Sequence, residues 1–550
     1  MSLVRLQDVS KKYDSNIVLR NVFFRLSKGD RVGLIGKNGV GKTTVLRLIL
    51  GQEEPTEGTV DVNSDIKIGY FSQFSELNGE MTILDVLEGL FADVHAIEEK
   101  LFEIELALDE SPQDDELHRL LDRQAKLMEE MEQREGWTYQ YKIDTVLTKL
   151  GFSDVYRKRP IDQLSGGWRN RAALAKILLE EPDVLLMDEP TNFLDIQGLA
   201  WLENWFKELR GALIVVSHDR HFLDNVVNRI VEVENYHFQE YEGNFTKYVR
   251  EKRIRIKTLE RQFQHEEELL AFESEAIADR REAMKDPSRA LKRKLAKIKR
   301  SIEPRPVDKI VTRLYEDLKV SSRLCWTENI SKTYDSQVLF RNLSIEIQRG
   351  DRIAVIGPNG CGKTTLLRLL TGLEQPYSGR IVWGKAAEGS YYNQVFADLD
   401  PDDTVTHAVN IVKMAFYKPR KQVNHFLSLM QFSEMDLEQR IGTLSGGQKA
   451  RVALAKCLLS GAPVIILDEP TNHLDITSTQ VMERALVNFP GAVVVVSHDR
   501  FFIDKIATRL LVFEGTDRLR EVNGNWTIWQ ASLEQEIDLD GDAEYDEQEL

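Results

Sequence analysis

Short apolar runs bounded by glycine or by acids recur along the chain. RVGLI (31–35) and RIAVI (352–356), VLLMD (184–188) and VIILD (464–468), LIVVS (213–217) and VVVVS (493–497) are the clearest. Each is apolar and too short for a buried helix, which predicts strands buried on both faces of a parallel sheet. TVLRLI (44–49) and TLLRLL (365–370) read as helices following the first pair. From Phe245 to about Lys285 the pattern changes to a polar, helix-favouring run. Its apolar residues, Ile254, Leu259, Phe263, Leu270 and Ile277, are spaced for one packed stripe. Asp286-Pro287 suits a break and restart, and SRALKRKLAKIKR continues as a second helix that stops before Pro304 and Pro306. Two antiparallel helices are expected, the first roughly 60 Å long at 1.5 Å per residue.

The pattern occurs twice. VSKKYDSNIVLRNVFFRLSKGDRVGLIGKNGVGKTTVLRLI returns as ISKTYDSQVLFRNLSIEIQRGDRIAVIGPNGCGKTTLLRLL, and three shorter blocks return in the same order. Tyr13, Lys42 and Gln73 map to Tyr334, Lys363 and Gln394 with a constant offset of 321. Ser165, Asp188 and His218 map to Ser445, Asp468 and His498 with an offset of 280. The difference places a net insertion of 41 residues in the first copy, between Gln73 and Ser165. The expected organisation is an α/β domain over 1–242 with a helical arm inserted at about 94–136, and a helical hairpin linker over 243–322. A second α/β domain over 323–530 and an acidic disordered tail over 531–550 complete it.

Composition narrows the class. Apolar residues make up 42% of the 550, a globular proportion, and no stretch approaches the roughly 20 apolar residues of a membrane helix. The N-terminus has no apolar signal-peptide core, and three cysteines, Cys325, Cys361 and Cys457, fit a reducing compartment. A soluble cytoplasmic protein is expected. The formal charge of −17 argues against general coating of nucleic acid but leaves room for a local basic patch.

Gly36-Lys37-Asn38-Gly39-Val40-Gly41-Lys42-Thr43 fits the phosphate-binding loop GxxxxGK[ST], followed by Thr44. Gly357, Asn359, Gly360, Gly362, Lys363, Thr364 and Thr365 repeat it, and both copies sit between a predicted strand and helix. Glycines let backbone amides turn toward phosphates at a helix N-terminus. Lys42 and Lys363 should reach the β- and γ-phosphates, and Thr43 and Thr364 should ligate Mg²⁺. Asp188-Glu189 and Asp468-Glu469 end parallel strands, where α/β folds place ligands. The aspartates suit Mg²⁺, through water or directly, and the glutamates suit orienting or deprotonating the attacking water. His218 and His498 each follow an apolar strand, in position to contact the γ-phosphate.

This combination resembles the ATP-binding-cassette superfamily, because LSGGW (164–168) and LSGGQ (444–448) look like its signature. The resemblance implies two cassettes of one chain pairing head to tail within a monomer, each ATP lying between one phosphate loop and the other cassette's signature. Lys42 would share ATP with Ser445, Gly446 and Gly447, and Lys363 with Ser165, Gly166 and Gly167. Gln73 and Gln394 match the Q-loop, which also approaches the metal. Asp195 and Asp475 match the D-loop, and Tyr13 and Tyr334 the adenine-stacking aromatic. The copies differ at Trp168 against Gln448 and at Phe193 against His473.

Two fused cassettes with an insertion in the first, a charged linker and SHDR after both catalytic strands resemble, more narrowly, the ABC-F family. The resemblance implies an ATPase acting on ribosomes, entering the tRNA exit site and reaching toward the peptidyl-transferase centre through its linker. Residues 280–300 carry ten basic side chains, Arg289, Lys292, Arg293, Lys294, Lys297, Lys299 and Arg300 among them, against Glu282 and Asp286. A local net charge of +8 at a hairpin tip favours ribosomal RNA or bound tRNA, held by backbone and shape contacts. The arm carries fourteen acidic and five basic residues, which suits docking on a basic ribosomal protein or an exposed solvated hairpin. Asp538, Asp540, Asp542 and Glu549 only superficially suggest a calcium loop, since Ala543 stands where glycine is required. Two other classes stay open: an energy-coupling subunit of a membrane transporter, and a DNA-associated cassette ATPase.

Overall fold

The computed structural model describes residues 2–14, 16–72, 77, 79–109, 114–277, 322–334, 337–385, 387–392, 399–410, 420–430, 432–472, 474–515 and 519–533. It divides into two compact units. One comprises 1–35, 41–217 and 225–240; the other comprises 36–40, 218–224 and 241–550.

In the first unit the apolar runs form neighbouring strands of one sheet. Its order is Ile68–Phe71, Val184–Asp188, Ala212–Val216, Arg31–Gly36, Arg229–Glu234 and His237–Glu242. Leu185, Leu186, Met187 and Leu213 are fully buried, as a sheet covered on both faces requires. A second sheet is antiparallel: Ser2–Tyr13 lies between Asn16–Ser27 and Glu57–Val62. Here burial alternates, with Val4 and Leu6 inside and Arg5 outside, the signature of a one-faced sheet. The arm follows as helices Ala92–Asp109 and Asp114–Gln133, with 110–113 outside the described residues. Val94, Ile97, Ile104, Leu127 and Met131 are buried, while Phe102, Leu106, Leu121 and Met128 are exposed.

The second unit repeats the design. Gly389–Tyr392, Val464–Asp468, Ala492–Val496, Arg352–Ile356 and Arg509–Phe513 run parallel, and Leu519–Asn523 closes the edge antiparallel. Arg323–Tyr334 anchors the antiparallel sheet. In both units the register sets the chemistry. Asp188 pairs with Val216 and Asp468 with Val496, so each acid stands beside the strand that leads to His218 or His498.

A helix runs from Phe245 to Ile277, inside the span predicted for the first linker helix. The basic residues from Arg280 to Arg300, the tail from 534, Gln73, Gln394 and His473 lie outside the described residues. No helix of the described residues is long and apolar enough to cross a membrane.

Candidate nucleotide site

Both phosphate loops end on a glycine in left-handed conformation, Gly41 at φ 104° and Gly362 at φ 106°, which caps the helix beginning at Lys42 or Lys363. A side chain there would be strained and crowded. A Cβ at Gly41 would lie 2.2 Å from Val18, and one at Gly362 3.2 Å from Leu339. Gly36, Gly39, Gly357 and Gly360 also have positive φ, and Asn38 and Asn359 lie within these turns. Thr44 and Thr365 open the helices behind them. Lys363 Nζ donates to the carbonyls of Gly357 at 2.8 Å and Pro358 at 2.9 Å, so its ammonium already rests inside the loop. Lys42 is buried to the same degree.

At the strand ends, Thr43 Oγ1 donates to Asp188 Oδ2 at 2.8 Å and Thr364 Oγ1 to Asp468 Oδ1 at 3.2 Å. Burial pushes both aspartic carboxyls up, partly countered by these hydroxyls and by Lys42 or Lys363. Glu189 and Glu469 come next, at φ 52° and 46°. A non-glycine residue in this region costs about 1–3 kcal/mol and persists where function holds it. Each is pinned by its amide, which donates to Val216 or Val496 at 2.9 Å. Desolvation pushes Glu469 up to about 7 against the pull of Lys363. Its carboxyl is buried and faces His498.

The histidines are held differently. His498 Nε2 lies 3.3 Å from Glu469 Oε1, whereas His218 Nε2 lies 3.1 Å from Asn38 Oδ1. The Asn38 amide in turn approaches Asp475 Oδ2 at 3.5 Å, all three residues belonging to the second unit. Asp195 and Asp475 have a local task as well. Each caps a helix, Ile196–Glu208 or Ile476–Val487, accepting from Gly198 at 3.0 Å or Ser478 at 2.7 Å.

Ser165 and Ser445 stand at the N-cap positions of the signature helices Gly166–Leu179 and Gly446–Leu458, and of the two only the Ser445 side chain makes a capping bond. Gly166, Gly167 and Gly446 face open space, which leaves these N-termini accessible to an anion; Gly447 is buried behind them. Ser445 and Gln448 form a reciprocal capping box; Trp168 cannot. Trp168 instead stacks on Tyr156, centroids 4.4 Å apart, with the Arg171 guanidinium 4.6 Å over its ring. Tyr13 and Tyr334 keep exposed ring surface, and their hydroxyls donate to Glu53 and Glu374.

These residues fit Mg²⁺–ATP. Among the described residues no cluster of three or more His, Cys, Asp or Glu could hold an ion alone. A threonine hydroxyl and one carboxylate are what a magnesium ion uses when phosphates and water complete its shell. Thr43 with Asp188, and Thr364 with Asp468, would hold it. Gln73 and Gln394 are outside the described residues.

Sequence reasoning missed several groups. Arg220 follows His218 by two residues, and its guanidinium bonds to the fully buried Glu483, with Asp499 at 3.4 Å. Burial works against its charge, but the two carboxylates prevail and raise its pKa. Lys505 Nζ completes the cluster at 2.7 Å from Glu483. The SHDR repeat contained the signal, since its arginine recurs with its histidine. Glu53 and Glu374 were missed too, although they share the offset of 321.

A family model described as "ABC transporter" matches residues 19–192 and 340–472, and a second of the same description matches 231–313. ABC transporter F family member 5 of Arabidopsis thaliana is 34% identical, the alignment covering 99% of this chain and 80% of the relative. The energy-dependent translational throttle protein EttA of Escherichia coli K12 is 32% identical, over 93% of this chain and 92% of that one. Among solved structures, the archaeal ribosome recycling factor aABCE1 in complex with the stalk protein aP1 superposes with a TM-score of 0.63. It is 21% identical and covers 96% of this chain and 92% of its own, a likeness of fold.

Proposed function

The chain belongs to the ABC transporter F family, and from that premise we propose that it is a cytoplasmic ATPase that binds the ribosome near the tRNA exit site and regulates translation. Cassettes of this kind bind ATP, and the chain carries two full sets of the residues the task needs. The proposal rests foremost on one observation: between two such sets, on a chain of net charge −17, lies a segment with a local net of +8. A phosphate-rich partner is the physical complement of that segment. The relative whose name is translational throttle protein supports the same reading.

Each nucleotide would lie between the phosphate loop of one copy and the signature of the other. Loop amides and Lys42 or Lys363 bind the phosphates, and the signature amides at Ser445 or Ser165 meet the γ-phosphate from the opposite side. Mg²⁺ supplies charge neutralisation of the phosphate oxygens when bound. Glu189 and Glu469 orient the attacking water and take its proton, while His218 and His498 face the γ-phosphate. Only ATP spans both faces, so ATP favours the closed form over ADP, and hydrolysis returns the chain to the form that leaves the ribosome. The acidic arm is suited to a basic ribosomal protein.

The reading is tested by pelleting ribosomes with the protein over a salt series. Replacing Lys292, Arg293, Lys294 and Lys297 by glutamine should weaken binding and flatten its salt dependence. Unchanged binding and salt slope would remove the tip from the proposal. Salt-dependent binding to DNA with DNA-stimulated turnover would favour the DNA-associated class instead.

A further inference from the structure

One short helix joins His218 to the start of the long linker helix. Arg220–Val226 begins two residues after His218, and Asp219 accepts from the Phe222 amide at 3.0 Å to close its first turn. At its head, His218 Nε2 lies 3.1 Å from Asn38 Oδ1 of the phosphate loop. In its first turn Arg220 bonds to Glu483 and lies 3.4 Å from Asp499. Toward its end the Asp224 carboxylate takes both donors of Thr246, the backbone amide at 2.6 Å on Oδ1 and the hydroxyl at 3.0 Å on Oδ2. Thr246 is the second residue of the helix Phe245–Ile277. Every residue in these contacts belongs to the second unit.

The Asp224 contact suits a helix end. The first amides of a helix have no partner inside it, and an anion placed there also meets the positive end of the helix dipole. Asn244 Oδ1 serves the Lys247 amide at 3.1 Å from within the same segment, whereas Asp224 reaches the Thr246 amide from 22 residues away. Both Asp224 bonds are charge-assisted and so stronger than neutral ones. Phe222 and Leu223 are fully buried, and a packed interior transmits a displacement instead of absorbing it. On the linker side Tyr241, Phe245 and Tyr248 are buried, and Arg255 donates to the Tyr241 hydroxyl at 3.1 Å. The first turns of the linker helix are thus seated on the element that carries His218.

Asp224 and Thr246 recur as Asp504 and Thr527, where the Thr527 amide donates to Asp504 Oδ1 at 2.8 Å. In the second copy the seated segment leads into residues 534–550, and in the first it leads into the linker. The same joint therefore has a built-in control.

We propose that Asp224 and Thr246 are positioning residues that carry the state of the γ-phosphate position from His218 to the linker helix, so that ATP binding steadies the start of that helix. The inference rests on the reading of His218 as facing the γ-phosphate and needs no ribosomal partner. The segment is held at both ends, so ATP that orders His218 also narrows the freedom of Asp224, and Thr246 follows through its two bonds.

The test is amide hydrogen exchange on the full chain, without ribosomes, carrying Glu189→Gln and Glu469→Gln so that bound ATP persists. Exchange of the amides from Val249 to Arg255 is compared without nucleotide and with saturating ATP, saturation being checked by calorimetry. ATP should slow this exchange about fivefold, the low end of couplings between sites. Asp224→Ala and Thr246→Val should each reduce the slowing to less than about twofold. Thr246→Ser, which keeps the hydroxyl, should retain it, and Asp504→Ala should leave it intact. A purely structural joint behaves otherwise: its loss speeds exchange by one factor in both states and leaves their ratio unchanged. That unchanged ratio for Asp224→Ala overturns the proposal. So does exchange that ATP fails to slow in the ATP-loaded parent chain, or an equal loss of slowing for Asp504→Ala. A parent chain that binds no ATP by calorimetry would instead remove the nucleotide reading, and this proposal with it. Thermal melting checks that each variant is folded. Should Asp224→Ala fail that check, the contrast between Thr246→Val and Thr246→Ser decides.

Discussion

His498 Nε2 lies 3.3 Å from Glu469 Oε1, so the residue suited to accept the water's proton is already beside the residue suited to face the γ-phosphate. The glutamate is buried and its pKa is raised to about 7 by desolvation, which places it near the working range of a general base.

That value sets a pH dependence. With the first site silenced by Glu189→Gln, turnover at the second should fall as pH drops through about 7, because protonated Glu469 cannot accept a proton. Stability runs the opposite way. The folded chain holds a proton that the unfolded chain releases between pH 4.5 and about 7, so nucleotide-free stability falls as pH rises across that window. Thermal melts of the native chain and of Glu469→Gln over pH 4.5–8 should show this slope only in the former.

Arg220→Ala leaves Glu483, wholly buried, with Lys505 as its remaining cation and leaves Asp499 without this partner. Breaking a buried pair by removing one side costs about 3–5 kcal/mol. Urea unfolding should show a loss of that order in the second unit, and a loss below about 1 kcal/mol would mean that water reaches the cluster.

Trp168→Gln removes the stack on Tyr156 and the Arg171 contact, together worth about 1–3 kcal/mol, and allows a capping box with Ser165 worth about 1 kcal/mol. The net expectation is a modest destabilisation, read by denaturant melt. A stabilised variant would show that capping outweighs the stack.

Much of this architecture was legible because repetition exposes chemistry. The glycines at 41 and 362, the threonine–aspartate pairs and the strand-end glutamates each occur twice at fixed offsets, and local rules of strand, loop and helix suffice to place them. Burial on both faces made VLLMD and VIILD readable as strands. The groups that escaped act at a distance in sequence: Glu374 meets Tyr334 from 40 residues away, and Arg220 meets Glu483 from 263. No periodicity signals such pairs, since nothing local in the sequence marks which charged residues the closed fold brings together; Arg220 and Glu483 become buried partners only then. Asp195 and Asp475 show the reverse: the resemblance supplied a nucleotide role, and the structure adds a helix-capping one that Asp before an apolar helix could have suggested.

The most direct test is co-sedimentation of the Glu189→Gln, Glu469→Gln double variant with ribosomes in ATP, in ADP and without nucleotide. Strong enrichment with ATP and little with ADP or without nucleotide is the predicted result, because the closed form would be trapped before hydrolysis. A folded, ATP-loaded double variant that pellets with ribosomes no more in ATP than in ADP would contradict the account.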